Sequence, residues 1–169
     1  GKDGKKHYAI TMYDNSGILR ANIPTDGYVG RNVQIIYDSL VVQSSKNCLV
    51  RINRLGQVTH SYPVYGYHFQ GEYAYDGSAG VYLLATADRK NMTVGSKVLK
   101  IDLENKKVSQ VLDMDTLLKS VYARAKKKGN AKNWISLDSI QCTGTNQLLL
   151  SSSKLSSVFK VSRVGSLLP

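Results

Sequence analysis

A chain of 169 residues, 42% of them hydrophobic, is long enough to bury one ordinary globular core. No run of about 18 apolar residues occurs, so a membrane-spanning helix is excluded. The 23 Lys and Arg against 12 Asp and Glu give a formal charge of +11. Such a charge attracts anions of any kind, from nucleic acid and acidic lipid to sulfated or phosphorylated small molecules, or simply marks a basic soluble surface.

The start, Gly1-Lys2-Asp3-Gly4-Lys5-Lys6, has a basic flank with no apolar segment behind it. It is not an intact signal peptide, although a processed chain would look the same. Cys48 and Cys142 are expected as two buried free thiols, with a disulfide open if the protein is exported. No Cys/His spacing of the metal-binding kind is present.

In chain order, His7 to Ile23 reads as a strand, a turn at Asp14-Asn15-Ser16-Gly17 and a second strand, closed by Pro24 and Gly27. Asn and Asp tolerate the left-handed conformation and Gly adopts it freely, so the turn has a mechanism. Val33 to Ile36, Leu40 to Val42, Leu49 to Ile52 and Val58 to Tyr62 follow as strands, punctuated near Tyr37-Asp38-Ser39 and at Arg54-Leu55-Gly56. The order returns with Gly71 to Tyr75, a turn over Asp76 to Gly80, the apolar run Val81 to Ala85, then Val98 to Asp102 and Val108 to Val111. Between Asp113 and Asn133, Leu117, Leu118, Val121 and Tyr122 share one helical face, with Asp113 or Asp115 available as N-cap. Lys126-Lys127-Lys128 then reads as a solvated helix end favoured by the dipole, and Gly129-Asn130 stop the helix. After the polar corner Trp134 to Ser139, a turn at residues 142–146 leads into Leu148-Leu149-Leu150, expected to be buried on both faces, and then Val158 to Val161.

Taking Met12, Ile52, Ile101 and Val161 as equivalent gives spacings of 40, 49 and 60, the last stretched by the helical segment. Periods of about 40 to 50 residues with four short strands each are the mark of propeller blades. The expected fold is all-β, a partial β-propeller of about three to four blades with one inserted short helix. Its blades fall near residues 6–30, 31–66, 67–112 and 133–169, with the insert at 113–132, in a single partial domain. A propeller closes on itself to leave no long free edge, so the remainder of a ring or a second copy is expected to complete it.

The repeat, the inserted helix and the corner after it resemble the bacterial arylsulfate sulfotransferases. These are exported six-bladed propellers that pass a sulfuryl group between phenols without a nucleotide cofactor. The family's Asp-Trp-x-His-x-Asn-Ser, Ser-Ser-Arg and Lys-Ile-Asp segments are matched by Asn133-Trp134-Ile135-Ser136-Leu137-Asp138-Ser139, by Leu148 to Ser153 and by Phe159-Lys160-Val161-Ser162. Its His-His-Asp segment one blade earlier is matched by Tyr67-His68-Phe69-Gln70. The likeness covers most of the chain in order and spacing, through short motifs. It implies aryl sulfates or phenols as small-molecule partners, no cofactor, and a periplasmic or extracellular address.

The departures fall on chemistry. The family's corner histidine position is Ser136, its asparagine position Asp138, and its arginine position Ser153, or Lys154 with a slip of one. The histidine that carries the sulfuryl group in the family lies in a later blade, which this sequence is expected not to include. Sulfuryl transfer needs a nucleophile, a donor to the leaving phenoxide and positive charge around the transferring oxygens. Ser136 donates a hydrogen bond without charge, an ionised Asp138 repels sulfate, and Lys154 or Lys160 supplies a point charge without the fork of Arg. His68 is the histidine placed to act as acid, base or nucleophile. His7 and His60 read as surface residues.

The candidate catalytic set is therefore His68, Ser136, Asp138 and Lys154, with Trp134, Tyr67 and Ser153 as candidate substrate contacts. Each has a plainer reading: His68 as a satisfied strand histidine, Trp134 as the packing residue of its corner. Seven aromatic residues between Tyr62 and Tyr82, Tyr67 among them, form either sheet packing or a wall for a phenol. Two functions remain open, a sulfotransferase-like propeller with altered or lost catalysis and a non-catalytic module for a protein or anionic ligand. Nucleic-acid binding ranks last, because the aromatics are not interleaved with Lys and Arg.

Overall fold

The computed structural model describes residues 4, 8–24, 32–89, 93–144 and 146–169. His7, Gly27 and Thr145 lie outside the described residues. The described chain is all-β apart from one short helical segment, and its strands form four antiparallel sheets in two compact units, Gly1–Pro63 and Val64–Pro169.

In the first unit, β1 (Ala9–Tyr13) and β2 (Leu19–Pro24) make a two-stranded sheet. β3 (Val33–Ile36), β4 (Ser39–Ser45), β5 (Cys48–Ile52) and β6 (Val58–Pro63) make a four-stranded meander. Ile23 of β2 packs with Leu40, Val42, Val50 and Ile52 to form the unit's core.

The second unit begins with a meander of β7 (Tyr67–Tyr75), β8 (Gly80–Ala87), β9 (Lys97–Asp102) and β10 (Lys107–Asp113). Helices α1 (Met114–Leu117) and α2 (Lys119–Lys127) and a 3₁₀ turn at Ala131–Asn133 follow, where the helix was expected. Asp113 is the N-cap, its carboxylate accepting from the Asp115 N–H, and Gly129 (φ 72°) provides the left-handed stop. β11 (Ser139–Thr143), β12 (Gln147–Ser152) and β13 (Ser157–Ser162) close the unit as a three-stranded meander, with β11 packed on β7. Residues 134–138 form the corner, and the strand after it starts at Ser139.

Three of the hairpin turns share one device. Asp14 and Asn53, each at the end of a strand, accept with one side-chain oxygen from the N–H groups two and four residues on. Asp76 does the same with the N–H groups of Ser78 and Gly80. The side chain thus stands in for a backbone acceptor and fixes the reversal before the strands meet. Aligning strands by this turn makes Tyr13, not Met12, the counterpart of Ile52, since each precedes its capping residue. Ile52, Ile101 and Val161 are fully buried in the third strand of their meanders, whereas Tyr13 is exposed.

Continuous apolar sequence gives two outcomes. All eight residues of β8 are buried, as a strand covered on both faces requires. In β12 burial alternates, and Leu149 is only half-buried between Leu148 and Leu150, because the core covers one face of that sheet. The two thiols are free but half-buried rather than buried.

The core of the second unit joins Tyr82, Leu84, Val98 and Leu112 of the first meander to Trp134, Ile135, Leu137 and Ile140. At its edge lies Lys97, 2% exposed, its ammonium bonded to Asp113 at 2.5 Å and Asp115 at 2.8 Å. Burial alone would push the Lys97 pKa down; the hydrogen bonds and charge of the two carboxylates outweigh it and hold the pKa above the ordinary lysine value. The resulting stabilisation is complete below the unfolded-chain value of about 10.4 and is lost as pH rises through the folded one. Replacing Lys97 by Met strands two carboxylates and is expected to lower stability by about 3–5 kcal/mol at pH 7 in urea unfolding. The gap between wild type and variant should start to narrow as the pH climbs past about 10.4 and go on narrowing through the raised folded value, where wild-type Lys97 loses its charge.

Candidate functional site

Strand register assembles a polar face at one end of the β7–β10 meander. His68 lies opposite Thr86, so Asp88 is its diagonal neighbour on the same face. Diagonal Cα atoms on paired strands are about 7–8 Å apart, a gap that an imidazole and a carboxylate can bridge. They do: His68 Nδ1 and Asp88 Oδ1 are 2.6 Å apart. Asp88 itself is tethered by its N–H to the Gly66 carbonyl at 2.8 Å. Both side chains are about one-third exposed (35% and 34%), open enough to meet a ligand.

On the same face the Thr86 hydroxyl donates to Gln70 Oε1 at 3.4 Å and accepts from the Gly95 N–H at 2.7 Å. The Gly95 carbonyl in turn accepts from the Leu137 N–H at 2.9 Å, which brings the Trp corner to this end of the sheet. Gly95 (φ +58°) has no room for a side chain: an added Cβ would stand 3.0 Å from Gln70 Cγ and 3.4 Å from the Leu137 nitrogen.

The corner is fastened from within. Trp134 is buried, its indole N–H donating to Asp115 at 2.8 Å and its ring tilted against Tyr122 at 5.7 Å. The Ser152 hydroxyl donates to the Ile135 carbonyl at 2.6 Å, and Asp138 Oδ2 accepts from the Ser153 N–H at 2.5 Å. Between these anchors Ser136 is half-buried and left-handed (φ 51°), a conformation uncommon outside Gly, in which Asn, Asp and His are enriched.

The structure therefore brings Ser136, Asp138 and Ser153 into one corner and sets His68 apart from them, on the sheet face of Thr86, which Gly95 links to the corner. Lys154 is exposed in the β12–β13 turn. Trp134 belongs to the core, the plainer of its two readings. Tyr67 is separated from His68 by strand alternation: its hydroxyl donates to Gln110 at 3.0 Å on the opposite face, in the wall of a cleft of about 370 Å³ shared with Tyr65, Asp88, Arg89 and Lys97. His60 is half-buried and stacked on Tyr62 at 6.2 Å rather than a free surface group. Burial raises the Cys142 thiol above its ordinary value, which makes it a poor nucleophile. Asp88, Gln70, Thr86 and Gly95 were missed from sequence. A charged residue directly after the buried run Val81 to Ala87 was the visible signal, but its partner depends on register.

Residues 2–167 match the arylsulfotransferase (ASST) family. The chain belongs to that family. A comparison with curated proteins found no match. Within an arylsulfotransferase chain, the corner described here holds Ser and Asp where the resemblance implies His and Asn, and Asp138 is occupied by a backbone bond.

Gly95→Ala is expected to lower stability by about 1–2 kcal/mol through its left-handed backbone alone, with more from the crowding. Because Trp134 is the only tryptophan, its fluorescence during urea unfolding reports directly on the displaced corner.

Proposed function

We propose that the chain is a portion of an arylsulfotransferase-like propeller whose meanders are blades, and that it handles aryl sulfates and phenols with His68 as the proton-transferring group. The observation that carries this reading is the His68–Asp88 pair, a partly exposed imidazole already held by a carboxylate in a protein of the arylsulfotransferase family. In a direct transfer, the acceptor phenol gives its proton to His68 Nε2 as its oxygen forms the new S–O bond. The donor S–O bond breaks, and the departing phenoxide takes the proton back. The substrate is met on the His68 face of the sheet; the cleft of Tyr65, Tyr67 and Arg89 opens on the other face and takes no part in the transfer.

Ser136 and Asp138 supply no positive charge for the transferring oxygens, so the chemistry is altered and slow relative to a corner with His and Asn. Incubating the purified chain with p-nitrophenyl sulfate and phenol should release nitrophenol slowly. His68→Ala should cut that rate by roughly 10²–10⁴-fold. Ser136→His should raise it, since histidine accepts the left-handed backbone there and brings a charged donor. Turnover indistinguishable from buffer in wild type and in Ser136→His would end the catalytic reading. The corner's commitment to internal bonds favours a second reading, a non-catalytic module, whose mark would be calorimetric binding of an aryl sulfate without turnover.

A further inference from the structure

We infer that Asp88 is a positioning residue for His68, fixing the imidazole with its proton on Nδ1 and its lone pair on Nε2. This deepens the reading of His68 as the proton-transferring group and rests on it for catalytic meaning, but not for its structural content.

An ionised carboxylate only accepts, so at 2.6 Å from Asp88 Oδ1 the Nδ1 atom is the donor. The neutral ring then presents Nε2 as the basic atom, and when Nε2 takes a proton the imidazolium keeps the same carboxylate beside it. The placement is built into the backbone. Asp88 follows Ala87, which pairs with Tyr67, and its own N–H is bonded to Gly66 across the strand pair. The next residue, Arg89, turns back to donate its N–H to the Ala87 carbonyl at 2.9 Å, which holds the Asp88 carboxylate over the sheet face. The arrangement follows the logic of a nucleophile's base held by a third group, in which the orienting acid does not itself react.

The test uses the full chain labelled with ¹⁵N at histidine. In wild type, the long-range ¹H–¹⁵N correlations of His68 should show Nδ1 protonated and Nε2 bare at a pH where the ring is neutral. Asp88→Ala, at an exposed loop position, should leave the fold intact and remove Nδ1–H as the main form of His68, with His60 unchanged as an internal control. Where turnover of p-nitrophenyl sulfate is measurable, the same variant should lower kcat by up to about 10²-fold with little change in KM, since it misorients a base without removing a substrate contact. Asp88→Glu, which keeps a carboxylate acceptor, should restore part of both signals. A wild-type His68 protonated on Nε2, or a tautomer unchanged in Asp88→Ala, overturns the inference. A tautomer shift with no turnover in any variant upholds it while sinking the catalytic role of His68.

Discussion

One buried ammonium ties the second unit together. Lys97 on β9 reaches Asp113 at the end of β10 and Asp115 in α1, and each carboxylate has a second task. Asp113 caps the helix through the Asp115 N–H, and Asp115 accepts from the indole of Trp134 and from the Ser96 hydroxyl. Sheet, helical insert and corner are thereby referred to a single charge. A buried ion pair of this kind contributes little net stability over an apolar substitute, but it tolerates only one arrangement of its partners. That selectivity fixes where the corner sits, and with it the Leu137 N–H that meets the Gly95 carbonyl.

From that anchor the polar face can be followed residue by residue. The corner meets Gly95, Gly95 meets Thr86, and Thr86 lies across β7 from His68. Asp138 of the corner and Ser152 of β12 are occupied in holding it closed. The partly exposed imidazole of His68 shares the sheet face of Thr86. The corner's bonds support its shape, and the partner of His68 comes from the end of the neighbouring strand.

Much of this was legible in sequence where the signal is local. The Asp14 turn, the Asp113 cap, the Gly129 stop and the apolar run Val81 to Ala85 of β8 each follow from residue types over a few positions. The equivalence of Met12 with Ile52 failed by one residue, because hydrophobic pattern was followed where the capping side chain marks the register better. Leu149 was assigned a second buried face that its three-stranded sheet does not cover. The His68–Asp88 pair was out of reach, since 20 residues separate its members and only the β7–β8 register makes them diagonal neighbours. Likewise the left-handed backbone of Ser136 answers to anchors on both sides of it, not to any preference of serine.

The register that separates Tyr67 from His68 is not uniform along β7, for a bulge interrupts the pairing with β8 between Phe69 and Tyr73. An irregularity of this kind decouples the two halves of a strand, because a change in residue number can be absorbed there without moving the ladder beyond it. The inner half, Tyr73 to Tyr75, is locked by buried Tyr73 and Ala74. Losing or gaining one residue between the bulge and Tyr67 would therefore exchange the faces of the tyrosine and the histidine while the inner half stayed in place. The choice between an aromatic wall and a titratable ring on either side of this sheet is thus set by chain length within a single short stretch.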